Sequence, residues 1–206
     1  MFASGVSNSG QVIQSEYDRE IALLTHHLGV AKGIFVYFST TSIQMDGAHK
    51  KRYVVHKLAC ERIVVDSGTP HLIVRTGNLV GRTRNRSTLF NYIVWKIREQ
   101  EPFDLWIAAR RNFLDVAHLI AMVDELLGNW IQSSNVTIVN PTNHYVSDVV
   151  RKVEDFCSLK ARVNEIESEC GQGLDIESAL SSSLFDTLRL SQLNYIPTLL
   201  QKYYNE

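Results

Sequence analysis

The chain has 206 residues, 45% of them hydrophobic, with a formal net charge of −1. That length suits one domain or a domain with a lobe, and the near-neutral charge excludes a bulk pull toward nucleic acid or anionic membrane. No apolar run approaches the ~20 residues of a membrane helix, and the N-terminus lacks the basic start and apolar run of a signal peptide, so a soluble cytoplasmic protein is expected. A glycine- and serine-rich loop, "FASGVSNSG", opens the chain where a domain would normally begin with a strand or helix. Ser15 then reads as the N-cap of a helix whose apolar stripe is Tyr17, Ile21, Leu24 and Leu28, with Gly29 as its stop. "GIFVYFST" (33–40) is a run of β-branched and aromatic residues, as in a parallel strand buried on both faces. A helix from about Lys50 to Ser67 follows, with Val54, Leu58 and Ile63 near one face and Gly68 and Pro70 closing it.

"HLIVRTGNLVG" (71–81) reads as a second buried strand and a glycine-rich loop. Ser87 is placed to cap a helix with Leu89, Phe90, Ile93, Val94 and Ile97 as its stripe. "NFLDVAHLIAMVDELLG" predicts another helix, capped by Asp115 and stopped by Gly128, and "VTIVN" (136–140) a last buried strand. Ser147 heads a helix carrying Val149, Val150, Val153 and Phe156. Beyond Cys157 the chain is more polar, with a serine run at Ser181–Ser183 and the aromatic tail "YIPTLLQKYY". Alternating strands and helices predict an α/β fold around a parallel sheet. Cys60, Cys157 and Cys170 show neither CxxC nor metal-ligand spacing and suit free thiols in a reducing cytosol; no metal site is expected.

"YVVHK" places Tyr53 four residues before Lys57, so both lie on one helix face. Thr40 ends the preceding strand, and ligands of open α/β sheets sit at the carboxyl ends of the strands. Hydroxyl, phenol and ammonium could converge there. An ammonium beside a phenol lowers its pKa and fits it for proton transfer. The spacing alone is weak, because many such pairs are only a solvated helix face. His26 and His27 late in the first helix suit its dipole. His118 and His144 read as structural or solvated, and Cys60 as buried filler. "GRTRNR" (81–86) is either a loop over anionic phosphates or a solvated loop.

"FVYFSTT", "YVVHK", "LIVRTGNLVG" and "RRNFLDVAHLIAMV", in this order, resemble the short-chain dehydrogenase/reductase superfamily, in its extended branch of nucleotide-sugar epimerases, dehydratases and reductases. "VTIVNPTNHYVSDVV" looks like that branch's final strand and next helix, and the opening "FASGVSNS" is similar to small members among bacterial surface-polysaccharide enzymes. The resemblance covers residue 2 to about 157. It implies a partial Rossmann-like doubly wound sheet over 1–157, with lobe insertions at about 84–112, and a mainly helical substrate lobe over 158–206. It implies NAD or NADP as cofactor, a nucleotide sugar as substrate and a possible homodimer.

Position by position, Thr40 matches the active-site Ser/Thr and Tyr53 the acid–base. Lys57 matches the lysine that holds the nicotinamide ribose and lowers the tyrosine pKa. Ala3, Ser4 and Gly5 match the loop along the cofactor, and Thr76 and Gly77 the segment passing the nicotinamide. Thr41, Asn78 and Arg111 match substrate contacts, although Arg111 also reads as a surface arginine. Thr41 and Ser42 stand where a dehydratase carries an acidic pair, which favours epimerase or reductase chemistry.

The sequence departs from that pattern at its start. It contains no GxGxxG or GxxGxxG turn for the cofactor pyrophosphate and no acidic residue for the adenosine ribose. The family's first three strands are missing, which predicts a fragment, a degenerate relative or a short form completed by a partner. It also predicts a bare edge along the strand at 33–40. Thr40 and Tyr53 are 13 residues apart, so the loop between them is expected to be tight.

Overall fold

The computed structural model describes residues 1–45, 51–129, 133–167 and 180–205. Cys170, Lys50 and the centre of the loop between Thr40 and Tyr53 lie outside them. In chain order the elements begin α1 (Gln14–Gly29), β1 (Phe35–Thr40), a 3-10 turn (Thr41–Gln44), α2 (Arg52–Asp66), β2 (His71–Thr76) and β3 (Asn78–Val80). They continue α3 (Leu89–Arg98), β4 (Phe103–Trp106), β5 (Arg110–Asp115), α4 (Val116–Gly128), β6 (Ser134–Ile138) and β7 (Asn143–Tyr145). Last come α5 (Val146–Cys157), β8 (Val163–Ile166), α6 (Ser181–Thr187) and α7 (Tyr195–Tyr204). The chain divides into two compact units, Met1–Thr76 with Leu126–Ile138, and Gly77–Glu125 with Val139–Glu206.

The first unit is built on a parallel sheet of order β1-β2-β6. Phe35 pairs with His71 and Thr40 with Thr76, and Thr76 in turn pairs with Ile138. Both faces of β1 and β2 are buried, which is why these strands read as unbroken apolar runs rather than alternating ones. Phe2, Leu24, Leu28, Phe35, Tyr37, Cys60, Val64 and Ile73 form one core cluster. Glu61 of α2 takes a two-pronged ion pair from Arg75 of β2, at 3.0 and 2.6 Å, which fixes helix against strand. At the edge of β1 the Phe2 N–H donates to Val36 O at 2.7 Å, a single parallel bridge.

The second unit pairs β3 with β5 in parallel, β5 with β7 antiparallel, and β4 with β8 in parallel. Its buried residues include Phe90, Ile93, Phe113, Met122, Val149 and Ile196. Asn112 ties β5 to the chain after β6: its amide donates to Asn140 O at 2.7 Å, and the Asn140 N–H returns a bond to Asn112 Oδ1 at 2.8 Å.

Several sequence expectations need correction. Ser15 does not cap α1: the helix starts one residue earlier, and Gln11 Oε1 receives the Val12 and Ile13 N–H groups just before it. Thr88, not Ser87, stands at the cap position of α3, and Asn85 Oδ1 accepts the Ser87 N–H just before it. Ser147 lies inside α5, whose cap position is Tyr145. Residues 78–80 are a strand, not a loop, and β4, β7 and β8, of three or four residues, carry too few to show a periodicity, while Asn112–Asp115 of the expected helix segment end strand β5. Asp115 does serve α4, its Oδ1 accepting the Ala117 N–H at 2.8 Å. On α2 the buried face is Tyr53, Val54, His56, Lys57, Cys60, Glu61 and Val64, and Leu58 is exposed. The helix turns its polar side inward because a buried carboxylate waits for it there.

Candidate functional site

Thr40 closes β1, and its hydroxyl accepts the Ser42 N–H at 3.1 Å, starting the 3-10 turn, and its polar group favours the ionised form of the Tyr53 phenol. Tyr53 opens α2 and is buried at 9% exposure. Lys57 lies one turn on, its Nζ 5.9 Å from the centre of the Tyr53 ring. Thr40 at the carboxyl end of β1 interacts with Tyr53, and Lys57 lies beside the Tyr53 ring on the same helix.

Lys57 is nevertheless engaged elsewhere. Its Nζ donates to Glu20 Oε1 at 2.8 Å, and the two side chains are 4% and 0% exposed. Glu20 also accepts from the Tyr37 hydroxyl at 2.9 Å, the Val6 N–H at 2.7 Å and His56 Nε2 at 2.9 Å. Burial pushes the Glu20 carboxyl up, but the Lys57 ammonium and the hydrogen-bond donors outweigh it, so the group sits below its ordinary range as a carboxylate. Gly5 closes the other side. A Cβ there would come within 2.5 Å of Glu20 Oε1 and 2.6 Å of Lys57 Nζ, so any side chain at this position must displace the end of one of the pair.

The expected lowering of the Tyr53 phenol by Lys57 is therefore corrected. Burial pushes the phenol up to about 12, with the Glu20 carboxylate and Tyr17 adding to the rise and only the Thr40 hydroxyl opposing it. Tyr37, against the same carboxylate, is pushed up further, by burial first and then by Cys60 and Glu20. Burial also lifts the Cys60 thiol to about 11, which leaves it protonated and a poor nucleophile. Cys60 Sγ is 3.4 Å from His56 Nε2, so Glu20, His56 and Cys60 bring an oxygen, a nitrogen and a sulfur within 4.8 Å of one another. Four proton donors already surround that carboxylate, which makes the trio a hydrogen-bonded network.

The other sequence-picked residues divide between the units. In the first, Ala3 and Ser4 are exposed. Thr41 donates to Thr76 O at 3.3 Å, and the buried Thr76 hydroxyl has no partner of its own. In the second, Asn78 donates to Asn112 O at 2.9 Å, Gly77 packs beside Asn112, and Arg111 donates to Arg110 O at 2.8 Å. The second unit also holds a cavity of about 560 Å³ lined by Arg82, Thr83, Arg84, Arg98, Tyr203 and Tyr204. Two arginines of "GRTRNR" thus line a cavity, while Arg86 stacks over Trp95 at 5.0 Å.

Sequence reasoning missed Glu20, Tyr37 and His56. The signal for Glu20 was present: it falls three residues after Tyr17 and four before Leu24, in the middle of the apolar stripe of α1. A carboxylate in such a stripe requires a buried partner.

No protein-family model and no curated protein matches the chain by sequence. Solved structures do match it by fold. A UDP-glucuronic acid 4-epimerase from Bacillus cereus, in complex with UDP-glucuronic acid and NAD, superposes with a TM-score of 0.76 at 18% identity, over 98% of this chain and 71% of its own. It shares their fold. RMD from Pseudomonas aeruginosa, complexed with NADPH, gives 0.67 at 18% identity over 95% of this chain and 78% of that one. WbmG from Bordetella bronchiseptica, with NAD and UDP, gives 0.69 at 14% over 98% and 68%. The expected Rossmann-like α/β fold is confirmed, and no helix among the described residues is long and apolar enough to cross a membrane.

Proposed function

We propose that the chain is an NAD(P)-dependent oxidoreductase or epimerase of the extended short-chain dehydrogenase/reductase kind, acting on a nucleotide-linked sugar, in surface-polysaccharide synthesis. The observation that carries this reading is the convergence of Thr40, Tyr53 and Lys57 at the carboxyl end of β1, in a fold shared with structures solved with NAD or NADPH. The nicotinamide end of such a cofactor fits the residues present in part. The unpartnered Thr76 hydroxyl is free to receive a polar group, and Thr40 and Tyr53 are in place. Lys57 fits only once it leaves Glu20. The cofactor supplies or takes a hydride; the protein's own residues do the rest.

Thr40 orients a sugar hydroxyl or carbonyl oxygen, and Tyr53 Oη holds the proton that this oxygen gains or loses. A phenol pushed up to about 12 stays protonated at neutral pH, which suits giving a proton better than taking one. That favours the reductive direction. Taken by itself, the second unit's arginine-lined cavity offers guanidinium forks matched to phosphate oxygens. Tyr53→Phe should lower turnover of a nucleotide sugar by about 10²–10⁴-fold and leave NADH binding intact. Unchanged turnover rules the role out.

A second reading is favoured by the engaged Lys57 together with that cavity: a protein that binds the nucleotide sugar alone, without catalysis. Titration with NADH and NADPH, followed by nicotinamide fluorescence, separates the two. Saturable binding supports the enzyme, and nucleotide-sugar binding without it supports the second reading.

A further inference from the structure

We propose that Glu20 is a positioning residue for Lys57: a buried counter-ion that engages its ammonium beside Tyr53 and cancels its charge there, so that a productive site forms only when the pair is parted. The inference deepens the reading of Thr40, Tyr53 and Lys57 as an acid–base centre and rests on it for the role of Lys57. The ion pair itself stands on geometry. Glu20 is fully buried, it meets Lys57 at 2.8 Å, and a Cβ at Gly5 would collide with the ends of both side chains.

The arrangement is specific in charge as well as shape. The α1 face contributes Glu20 and Tyr17, and β1 contributes Tyr37. The α2 face contributes Tyr53, His56, Lys57 and Cys60, and the opening loop adds the Val6 N–H. Within this set Lys57 faces a full negative charge, so its field at Tyr53 is largely cancelled. A lysine with no counter-ion at the same position would draw the Tyr53 phenol toward ionisation. A ligand group that bonds Lys57 must compete with Glu20, or the carboxylate must be protonated. Glu20 thus sets both how readily a ligand gains Lys57 and how acidic Tyr53 becomes.

The test is an ultraviolet tyrosinate titration of the full chain, with Tyr53→Phe in each background isolating the Tyr53 transition. No cofactor is needed. Glu20→Gln keeps the side chain's size and removes its charge. The Tyr53 midpoint should fall by about one unit or more, a tenfold change in its ionisation constant, and should fall by clearly less when Glu20→Gln is made in a Lys57→Met background, where only the direct repulsion by the Glu20 carboxylate is lost. No fall, or the same fall without Lys57, overturns the proposal, because that direct repulsion alone would then account for it. Should Glu20→Gln not fold, the Glu20→Gln/Lys57→Met protein removes both charges and decides the matter. Its Tyr53 midpoint should lie within half a unit of the unmodified chain, whereas a rise of a unit or more would show that Lys57 tunes Tyr53 despite Glu20. NADH binding is then measured on the same proteins. Tighter binding by Glu20→Gln supports both the pair and the enzyme reading. A shifted Tyr53 with no NADH binding in any variant keeps the pair and rejects the enzyme.

Discussion

Lys57 and Glu20 are each stabilised by the other, and neither has water to fall back on. Removing one partner of a buried pair strands the other's charge, which costs about 3–5 kcal/mol. Lys57→Met should therefore lower the urea midpoint sharply, and adding Glu20→Gln should recover much of the loss. Gly5→Ala forces a methyl group against the same pair. An overpacking cost of about 1–3 kcal/mol is expected in a thermal melt. The sign with pH follows from the lowered Glu20 carboxyl: the unfolded chain binds its proton first, so the stability it contributes is complete above an unfolded value of about 4.3 and is lost as pH falls through and below it. Urea melts at neutral pH and at stepped acidic pH should show that decline, and it should flatten in Glu20→Gln.

At the scale of elements, Asp115 joins three helices or strands of the second unit. It ends β5, starts α4 through the Ala117 N–H, and receives Lys202 at 2.8 Å and Tyr203 at 2.6 Å from α7. Burial pushes its carboxyl up, but Lys202, Tyr203 and the Ala117 N–H more than offset that and hold it below its usual range. Asp115→Ala removes an N-terminal cap worth about 1 kcal/mol and leaves the ends of α4 and α7 unfastened. Hydrogen exchange should quicken in α7 and the first turn of α4 and stay unchanged in β1 and β2. The helix α2 carries the opposite lesson. On its buried face His56, Lys57 and Glu61 each find an ion-pair partner from another element: Glu20 for the first two and Arg75 for Glu61. A periodicity built on apolar residues alone pointed at Leu58 instead.

For the whole molecule the exposed feature is the edge of β1. Among the described residues, β2 pairs along the inner side of β1, while the outer side carries only the Phe2 bridge. An unpaired run of backbone N–H and C=O groups on an apolar strand is a template for another strand. The 206-residue chain should self-associate as its concentration rises, visible in sedimentation velocity. A monomer at all concentrations would show the edge to be protected.

The sequence by itself determined the order of strands and helices, the unbroken apolar strands of the parallel sheet, and the meeting of Thr40, Tyr53 and Lys57. Each follows from spacing within one element or from the fixed end of a strand. The strands of three or four residues in the second unit were too short to carry a period. The helix starts of α1 and α3 carry no side-chain cap, so a serine near the first turn was a misleading signal. The tertiary structure decided the chemistry of the lysine. Glu20 is 37 residues away in the chain and 2.8 Å away in space, and spacing within a helix carries no record of a charge arriving from another one. The same sequence spacing describes a lysine free to tune a phenol and a lysine held by a carboxylate; only the packing of α1 against α2 and β1 separates them.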